Sequence, residues 1–555
     1  MSNCLITGEG ATEATGIYSV GGTDVAAKCT IDGVELGAYL DSGATLLESI
    51  VTQTGGTSVD GLGIVEDCIV SAPVSVTIAQ QGLVVSGDPL YCAPGEYTLR
   101  VDSQGNPEIN ASLFGEGKQI GAFPVACMYG ILQRDSQMSS GELEVKGDVT
   151  VPSGVALALR NSTNVIVATG DNQQSGSDPA RVEILVEGSL TIDGGEEDIV
   201  LVQSEAGIRG SWDGVILADN AALTMKRAEL RDARYAVKDD PSGCAADIAL
   251  EACVFDNFET AGVYLTPSAS DSVNCSILGC VVRMAGAPYG LFLGSSPSGS
   301  LSYRYSVEGS TVTGVYDSAG VVGVLVDGTG LGTGGEPRLS SNVVRQVVAG
   351  TGIHVASGSP TLDGNRIIGC SVGMVLRGDG HPIVTGQGLS DIISCPTGIW
   401  VRDEVAPSLV DLIGIHDSSI VGLLVEDQAA GQYTNLSIVP QGTTYPLTGI
   451  NLSGSDVDVS DCLVKVSSPG GSEMVRGIAL SGGNSTISNT TIEMTGGGSN
   501  PLLFRGISSE DPSHGVQLSK CAIIGQGTTH STGIFAVGGT DVVTGRTIHG
   551  VDLGD

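Results

Sequence analysis

One short pattern, repeated, limits this chain more than any other feature. A variable residue, then Gly, then an aliphatic residue and, two places on, another apolar one recur along its length. They read AGVYL (261–265), YGLFL (289–293), VGVLV (322–326), TGIHV (351–355), VGMVL (372–376), TGIWV (397–401), VGLLV (421–425), TGINL (448–452), RGIAL (476–480), RGISS (505–509) and TGIFA (532–536). The steps between these glycines are 28, 33, 29, 21, 25, 24, 27, 28, 29 and 27 residues, a mean near 27. DGVIL (213–217) and YAVKD (235–239) extend the series backward, and TGIYS (15–19) starts it again. Alternate residues of a strand face one side, so each motif reads as a strand with its aliphatic residues turned the same way. A second family, Cys, Thr or Val followed two places on by Ile or Val, falls between them: CSI (275–277), CVV (280–282), CLV (462–464), TTI (490–492), CAI (521–523), and early on CLI (4–6), CTI (29–31) and CIV (68–70). Two or three short strands per turn of about 27 residues, with Gly at the corners, describe a solenoid of stacked coils.

Composition agrees. Gly is the commonest residue at 82, aromatics are 4% and hydrophobics 41%. That is too apolar for a disordered chain and suits short strands joined by tight turns. GELEVKGDVTVPSGVALAL (141–159), VEILVEGSLTIDGGEEDIVLVQS (182–204) and GSWDGVILADNAALTMKRAELRDARYAV (210–237) resemble the opening coils of right-handed parallel β-helix repeat proteins of the pectin-lyase-like kind. GDPLYCAPGEYTLRVDSQGNPEINASLFGEGKQIGAFPVAC (87–127) resembles their closing segment. The resemblance implies an all-β, right-handed parallel β-helix solenoid with about 27 residues per coil, and an extracellular protein. It implies little about activity, because the fold hosts many functions.

A second, longer repeat overlies the first. Residues 2–37 align without gaps on 519–554, identical at 21 of 36 positions at an offset of 517. With the closing segment ahead of the opening one, the expected order is the final coils of one unit (1–87), a closing segment and junction (88–140), and the next unit (141–555). Self-similarity at a fixed offset marks an array, so the chain reads as a window on a tandem or head-to-tail polymer. A signal peptide is absent from the first residues, which that window reading leaves without meaning for location. Coils about 4.8 Å apart make each unit on the order of 90 Å long. The expected assembly residues are those of the repeated strand and its following turn: Gly16, Ile17, Gly21 and Gly22, with their copies Gly533, Ile534, Gly538 and Gly539.

Thirteen cysteines leave two readings open. As small apolar residues they fill inward positions of stacked coils. Alternatively, adjacent coils are stapled: Cys4 with Cys29 and Cys370 with Cys395 are each one coil apart, and Cys92 and Cys127 bracket the irregular closing segment. No C-x-x-C or Cys/His pair suggests zinc.

The formal net charge of −37 excludes nucleic-acid binding by phosphate neutralisation, and no apolar run is long enough to insert in a membrane. Asp456, Asp458 and Asp461 in SDVDVSD are the best carboxylate cluster; calcium is the cation they suit, though a solvated face is the simpler reading. No other cofactor is indicated. The motifs N-T-D, G-H-G, R-I-K and R-x-P-x-x-R, sought because lyases and hydrolases of this fold carry such patterns, are absent, and the six His are scattered. The expectation is therefore against catalysis. The leading reading is an extracellular structural protein, a fibre or surface filament or adhesin stalk of end-to-end units whose partners are copies of itself. The alternative is a secreted carbohydrate-binding or polysaccharide-degrading β-helix protein, with surface polysaccharide as partner.

Overall fold

A computed structural model gives the architecture. Outside the described residues fall 9–13, 53, 55–56, 72–73, 76–77, 87–89, 94–95, 101, 104–124, 172–175, 177, 241–245, 267–272, 295–303, 315–319, 329–336, 388–390, 442–446, 455, 469–473, 497–503, 510, 512–514, 527–530, 537–541 and 552–555. The chain forms two compact units, Met1–Asp213 with Thr224–Glu229, and Gly214–Leu223 with Leu230–Asp555. Among the described residues no helix is long and apolar enough to cross a membrane.

In the second unit each Gly-aliphatic motif is a strand that pairs in parallel with the next motif. Val263 lies beside Leu291, Leu291 beside Val324, and so on through Ile353, Met374, Ile399, Leu423, Ile450, Ile478, Ile507 and Ile534. Two further strands complete each coil, such as Leu409–Asp411 and Gly414–His416 between Thr397–Val401 and Val421–Val425. The coil is not of fixed size. Ile353 to Met374 is a step of 21 residues and Leu291 to Val324 one of 33, because the loops between strands absorb length while the strands stay in register.

Inside, the column from Val263 to Ile507 is buried throughout. The motif glycines are not at corners, as expected, but inside the strands. A Cβ on Gly422 would meet Ile438 of another strand and the carbonyl of Gly449 in the next coil, and Gly398 faces Ile415 and Gly422 in the same way. Gly is there because two sheets approach too closely for any side chain.

Within each unit the cysteines line inward columns, more than one of them, in which Sγ and Oγ interchange: Cys29, Ser49 and Cys68 lie two residues before the stacked Ile31, Val51 and Val70, whereas Cys370 and Cys395 lie three residues after the stacked Ile367 and Ile392. The backbone N–H of Cys29 donates to Ser49 Oγ at 3.0 Å and that of Ser49 to Cys68 Sγ at 3.4 Å. Ser310 and Asn342 extend the same arrangement below Cys280. The expected bridges Cys4–Cys29 and Cys370–Cys395 are not formed: all four are free thiols. Each points inward and donates to the carbonyl two residues back, Cys4 to Ser2 and Cys395 to Ile393, while the Cys370 N–H donates to Cys395 Sγ at 3.4 Å. Stacked side chains that each find a backbone partner fill the columns as thiols. Cys127 is disulfide-bonded; Cys92 lies in Tyr91–Ala93, whose side chains are outside the described set.

The first unit opens with smaller coils. Leu5–Thr7, Thr30–Asp32 and Ile50–Thr52 stack in parallel, as do Thr15–Ser19, Leu36–Leu40 and Val59–Gly61. Within the expected junction, Tyr91–Ala93 runs antiparallel to Glu96–Arg100. A buried ion pair pins it: Arg100 Nε is 3.0 Å from Asp102 Oδ1, and Asp102 Oδ2 accepts from the Gln133 N–H at 2.8 Å.

Candidate functional site

The outward positions of the Gly-aliphatic strands form a column of their own. In coil order it runs Lys238, Tyr264, Phe292, Leu325, His354, Val375, Trp400, Leu424, Asn451. An outward face should be polar; this one, His354 apart, is aromatic and aliphatic from Tyr264 to Leu424. Leu325 and Val375 within it are buried, and polar groups gather toward its two ends.

The first is aromatic. Tyr264 packs on Phe292 with centroids 4.5 Å apart and on Tyr235 at 5.3 Å, and Tyr289 meets Phe292 edge-on at 5.1 Å. Arg234 and Lys238 lie over the Tyr235 ring at 5.3 and 5.0 Å. Burial, reinforced by the neighbouring phenols, pushes the Tyr264 hydroxyl pKa up. All four rings stay half-buried, with part of their surface open.

The second surrounds Trp400. Arg377, Arg402 and Glu426 follow the strands of three successive coils and stack, the Arg402 N–H donating to Leu376 O and the Glu426 N–H to Val401 O. Trp400 Nε1 donates to Glu426 Oε1 at 2.8 Å, and the Arg402 guanidinium covers the indole at 4.8 Å. Asp403 Oδ2 is 3.5 Å from Arg377 Nε and 3.2 Å from Arg402 Nε, and Asp427 Oδ2 is 3.9 Å from Arg402 Nη2. Such partly exposed pairs stabilise little, so their concentration here is not explained by folding.

Two further observations single this cluster out. The first is in the backbone. One residue past the stacked Arg377, Ser453 and Ser481, the chain turns through positive φ at Gly378, Gly454 and Gly482, the residue type that this conformation favours. At the same place the two middle coils carry Asp403 (φ 60) followed by Glu404 (φ 63), and Asp427 (φ 55) followed by Gln428 (φ 62). Among the described residues these are the two instances of consecutive non-glycine residues at positive φ, each residue costing on the order of 1 kcal/mol. The second is in the polar atoms. Among the described residues, His354 Nε2 and Arg402 Nε are two of eight buried side-chain atoms with no hydrogen bond, the other six lying elsewhere in the chain; Arg402 Nε is near Asp403 but not aligned with it. Burial and the Arg377 charge push the His354 pKa down to about 4, against a smaller opposing effect of Asp327, so the imidazole is neutral at neutral pH.

The residues expected to matter from sequence lie elsewhere. Asp456, Asp458 and Asp461 are exposed; Asp456 accepts from the Asn484 N–H at 2.6 Å and Asp461 from Asn489 Nδ2 at 3.1 Å. Among the described residues no group of three or more His, Cys, Asp or Glu is placed to hold a metal ion. Gly16 and Ile17 lie in Thr15–Ser19, Gly21 and Gly22 follow at positive φ, and Gly533 and Ile534 lie in Ser531–Ala536. Gly538 and Gly539 are outside the described residues.

No protein-family model and no curated protein matches the chain. Among solved structures, it is similar to the A-module of the Azotobacter vinelandii mannuronan C-5 epimerase AlgE6, with a TM-score of 0.31 and 13% identity over 71% of this chain and 91% of that one. It is also similar to the catalytic domain of a GH87 α-1,3-glucanase, with a TM-score of 0.27 and 9% identity over 83% and 71% of the two chains. The Streptococcus pneumoniae surface protein and adhesin PfbA aligns with a TM-score of 0.14 and 10% identity over 75% and 91%. The fold is a right-handed parallel β-helix. Its hand is the one that parallel crossover connections take. The expectation against catalysis is corrected by this comparison: two of these β-helix proteins are carbohydrate-active enzymes by name, an epimerase and a glucanase. At such identities and scores the likeness is one of fold, and no residue role is carried over from them.

Proposed function

We propose that the chain binds a linear polysaccharide outside the cell or at its surface through the half-buried aromatic groups toward the two ends of the outward column, Tyr264 with Phe292 and Trp400, and acts on it at Asp403, Glu426 and Asp427. The observation that carries this is the meeting, on one outward sheet face, of Trp400, two arginines and three carboxylates, two of them on turns where neighbouring coils have Gly. Aromatic faces take the apolar side of a sugar ring, and carboxylate–arginine pairs take its hydroxyl groups. Tyr264 and Trp400 are five coils apart, about 24 Å at about 4.8 Å per coil, so the bound chain spans several sugar rings. A carboxylate can take a proton from a bound sugar as general base, with a guanidinium beside it to stabilise the negative charge that develops. Trp400→Ala should weaken binding of soluble glucans or polyuronates about tenfold, about 1.4 kcal/mol, measured by calorimetry against a panel of both. Asp403→Asn should keep binding and lose turnover; equal affinity for every glycan in wild type and Trp400→Ala would defeat the proposal.

A fibre of end-to-end units is a second reading, favoured by one observation. In both copies of the 36-residue segment one described strand pair has the same register, Ile6 beside Ile31 and Ile523 beside Ile548.

A further inference from the structure

Beyond Trp400 the outward face carries arginine without acid. The residue before each motif glycine forms a column, which from Thr397 runs through Val421, Thr448, Arg476, Arg505 and Thr532. Arg476 and Arg505 are thus in register in adjacent coils, two like charges on strands about 4.8 Å apart. Such neighbours repel. Both side chains are half-buried. The chain has 62 acidic residues and 25 Lys and Arg. Yet the strands of these coils, Leu447–Ser453, Val475–Ser481, Phe504–Ser509 and Ser531–Ala536, contain no Asp or Glu. Glu473 and Glu510, close by in sequence, are outside the described residues.

A second column, two places past each glycine, runs Asn451, Ala479, Ser508, Phe535. The two columns meet on this sheet. Tyr289 and Phe292, which hold the same two places in their own coil, touch edge-on, and the Arg505 guanidinium lies over Phe535 of the next coil at 3.7 Å. Ser508 is therefore beside Arg505 and one coil on from Arg476. It is 1% exposed, and its Oγ has no hydrogen-bond partner. A hydroxyl buried in that way destabilises the fold until an acceptor reaches it.

We infer that Arg476, Arg505 and Ser508 bind an oxyanion, a carboxylate or sulfate group. Guanidinium forks take such a group through paired N–H donors, and the Ser508 hydroxyl donates to it. Its negative charge offsets the repulsion between the two arginines. Phe535 holds the Arg505 guanidinium by its ring face. Two sources supply such a group: a free ion, and a charged substituent on a polymer lying along the face. Ser508 is four coils from Trp400, about 19 Å at about 4.8 Å per coil, and the inference does not depend on the glycan reading there.

The test is calorimetric titration of the whole chain with inorganic sulfate and with glucuronate at low ionic strength, where charge is least screened. At least one of them should bind wild type. Arg476→Gln and Arg505→Gln should each weaken that binding about tenfold or more, the loss of a charge-assisted fork. Arg505→Lys keeps the charge and loses the fork, so it should fall between wild type and Arg505→Gln. Trp400→Ala should bind the ion like wild type, which separates failure here from failure of the glycan reading. A polyuronate or sulfated glucan that binds more tightly than the free ion, and weakens in the same variants, identifies the polymer as the source; no gain over the free ion identifies the ion. Wild type that binds none of these would overturn the inference. So would equal binding by the Gln variants at an unchanged melt. If those variants melt below wild type, Ser508→Ala and Arg505→Lys decide, and wild-type affinity in both would overturn it.

Discussion

Coils 397–427 and coils 447–483 are built alike and finished differently. Both have the Gly-aliphatic strand, Ile399 and Leu423 in one and Ile450 and Ile478 in the other, all buried. Outward, the first pair carries Trp400 and Leu424 and turns through Asp403 and Asp427. The second carries Asn451 and Ala479 and turns through Gly454 and Gly482. The inward half of each coil is fixed by stacking and by the close approach of sheets, so it cannot vary much. The outward half is under no such constraint. Departures there from the common pattern, above all a strained Asp in place of Gly, are where a β-helix of this kind shows what it does.

The largest test of that contrast is inward, where the two regions should respond alike. Ile399→Asp and Ile450→Asp each bury an unpaired carboxylate and should cost about 4 kcal/mol or more, read as a drop in melting temperature. A mild effect at either site would break the account of the core. Next is the outward ring. Trp400→Ala should lose about tenfold in glycan affinity, about 1.4 kcal/mol, while Asn451→Ala changes neither affinity nor melting temperature. Smaller still is the turn. Asp403→Gly should raise stability by about 1 kcal/mol or less, the relief of a non-glycine residue at positive φ, and lose turnover. Gly454→Asp should lower stability by a similar amount and leave function alone.

A separate test of the same face is a pH dependence. His354 is held near pKa 4 against an ordinary 6.5. Between those values the unfolded chain takes up a proton that the folded chain does not, so the folded state loses stability as pH falls from about 6.5 to about 4. His354→Leu, the residue its column neighbour Leu325 already supplies, should flatten that slope in thermal melts taken across the window.

Much of the fold was legible because inward positions repeat. The motif glycines chosen from sequence fall one to a strand, and the aliphatic residue after each lines the inner column. Their role was misread, since a sequence does not show that Gly398 faces Ile415 of another strand. The site was harder to see. Asp403 and Asp427 look like ordinary acidic turn residues until coils of unequal length are aligned at the strand end, where Gly378, Gly454 and Gly482 occupy the same place. His354 counted as one of six scattered His, although its spacing from Gly352 puts it in the outward column beside Leu325 and Val375. Asp456, Asp458 and Asp461 stood out because they are close in sequence, and closeness along a strand says nothing about which coil supplies a partner.

Calorimetric titration of wild type, Trp400→Ala and Asn451→Ala with the same panel of soluble glucans and polyuronates tests the central claim most directly. The account predicts at least one glycan that binds wild type and Asn451→Ala equally and Trp400→Ala about tenfold more weakly. Binding that is indifferent to Trp400, or that falls equally with Asn451, would contradict it.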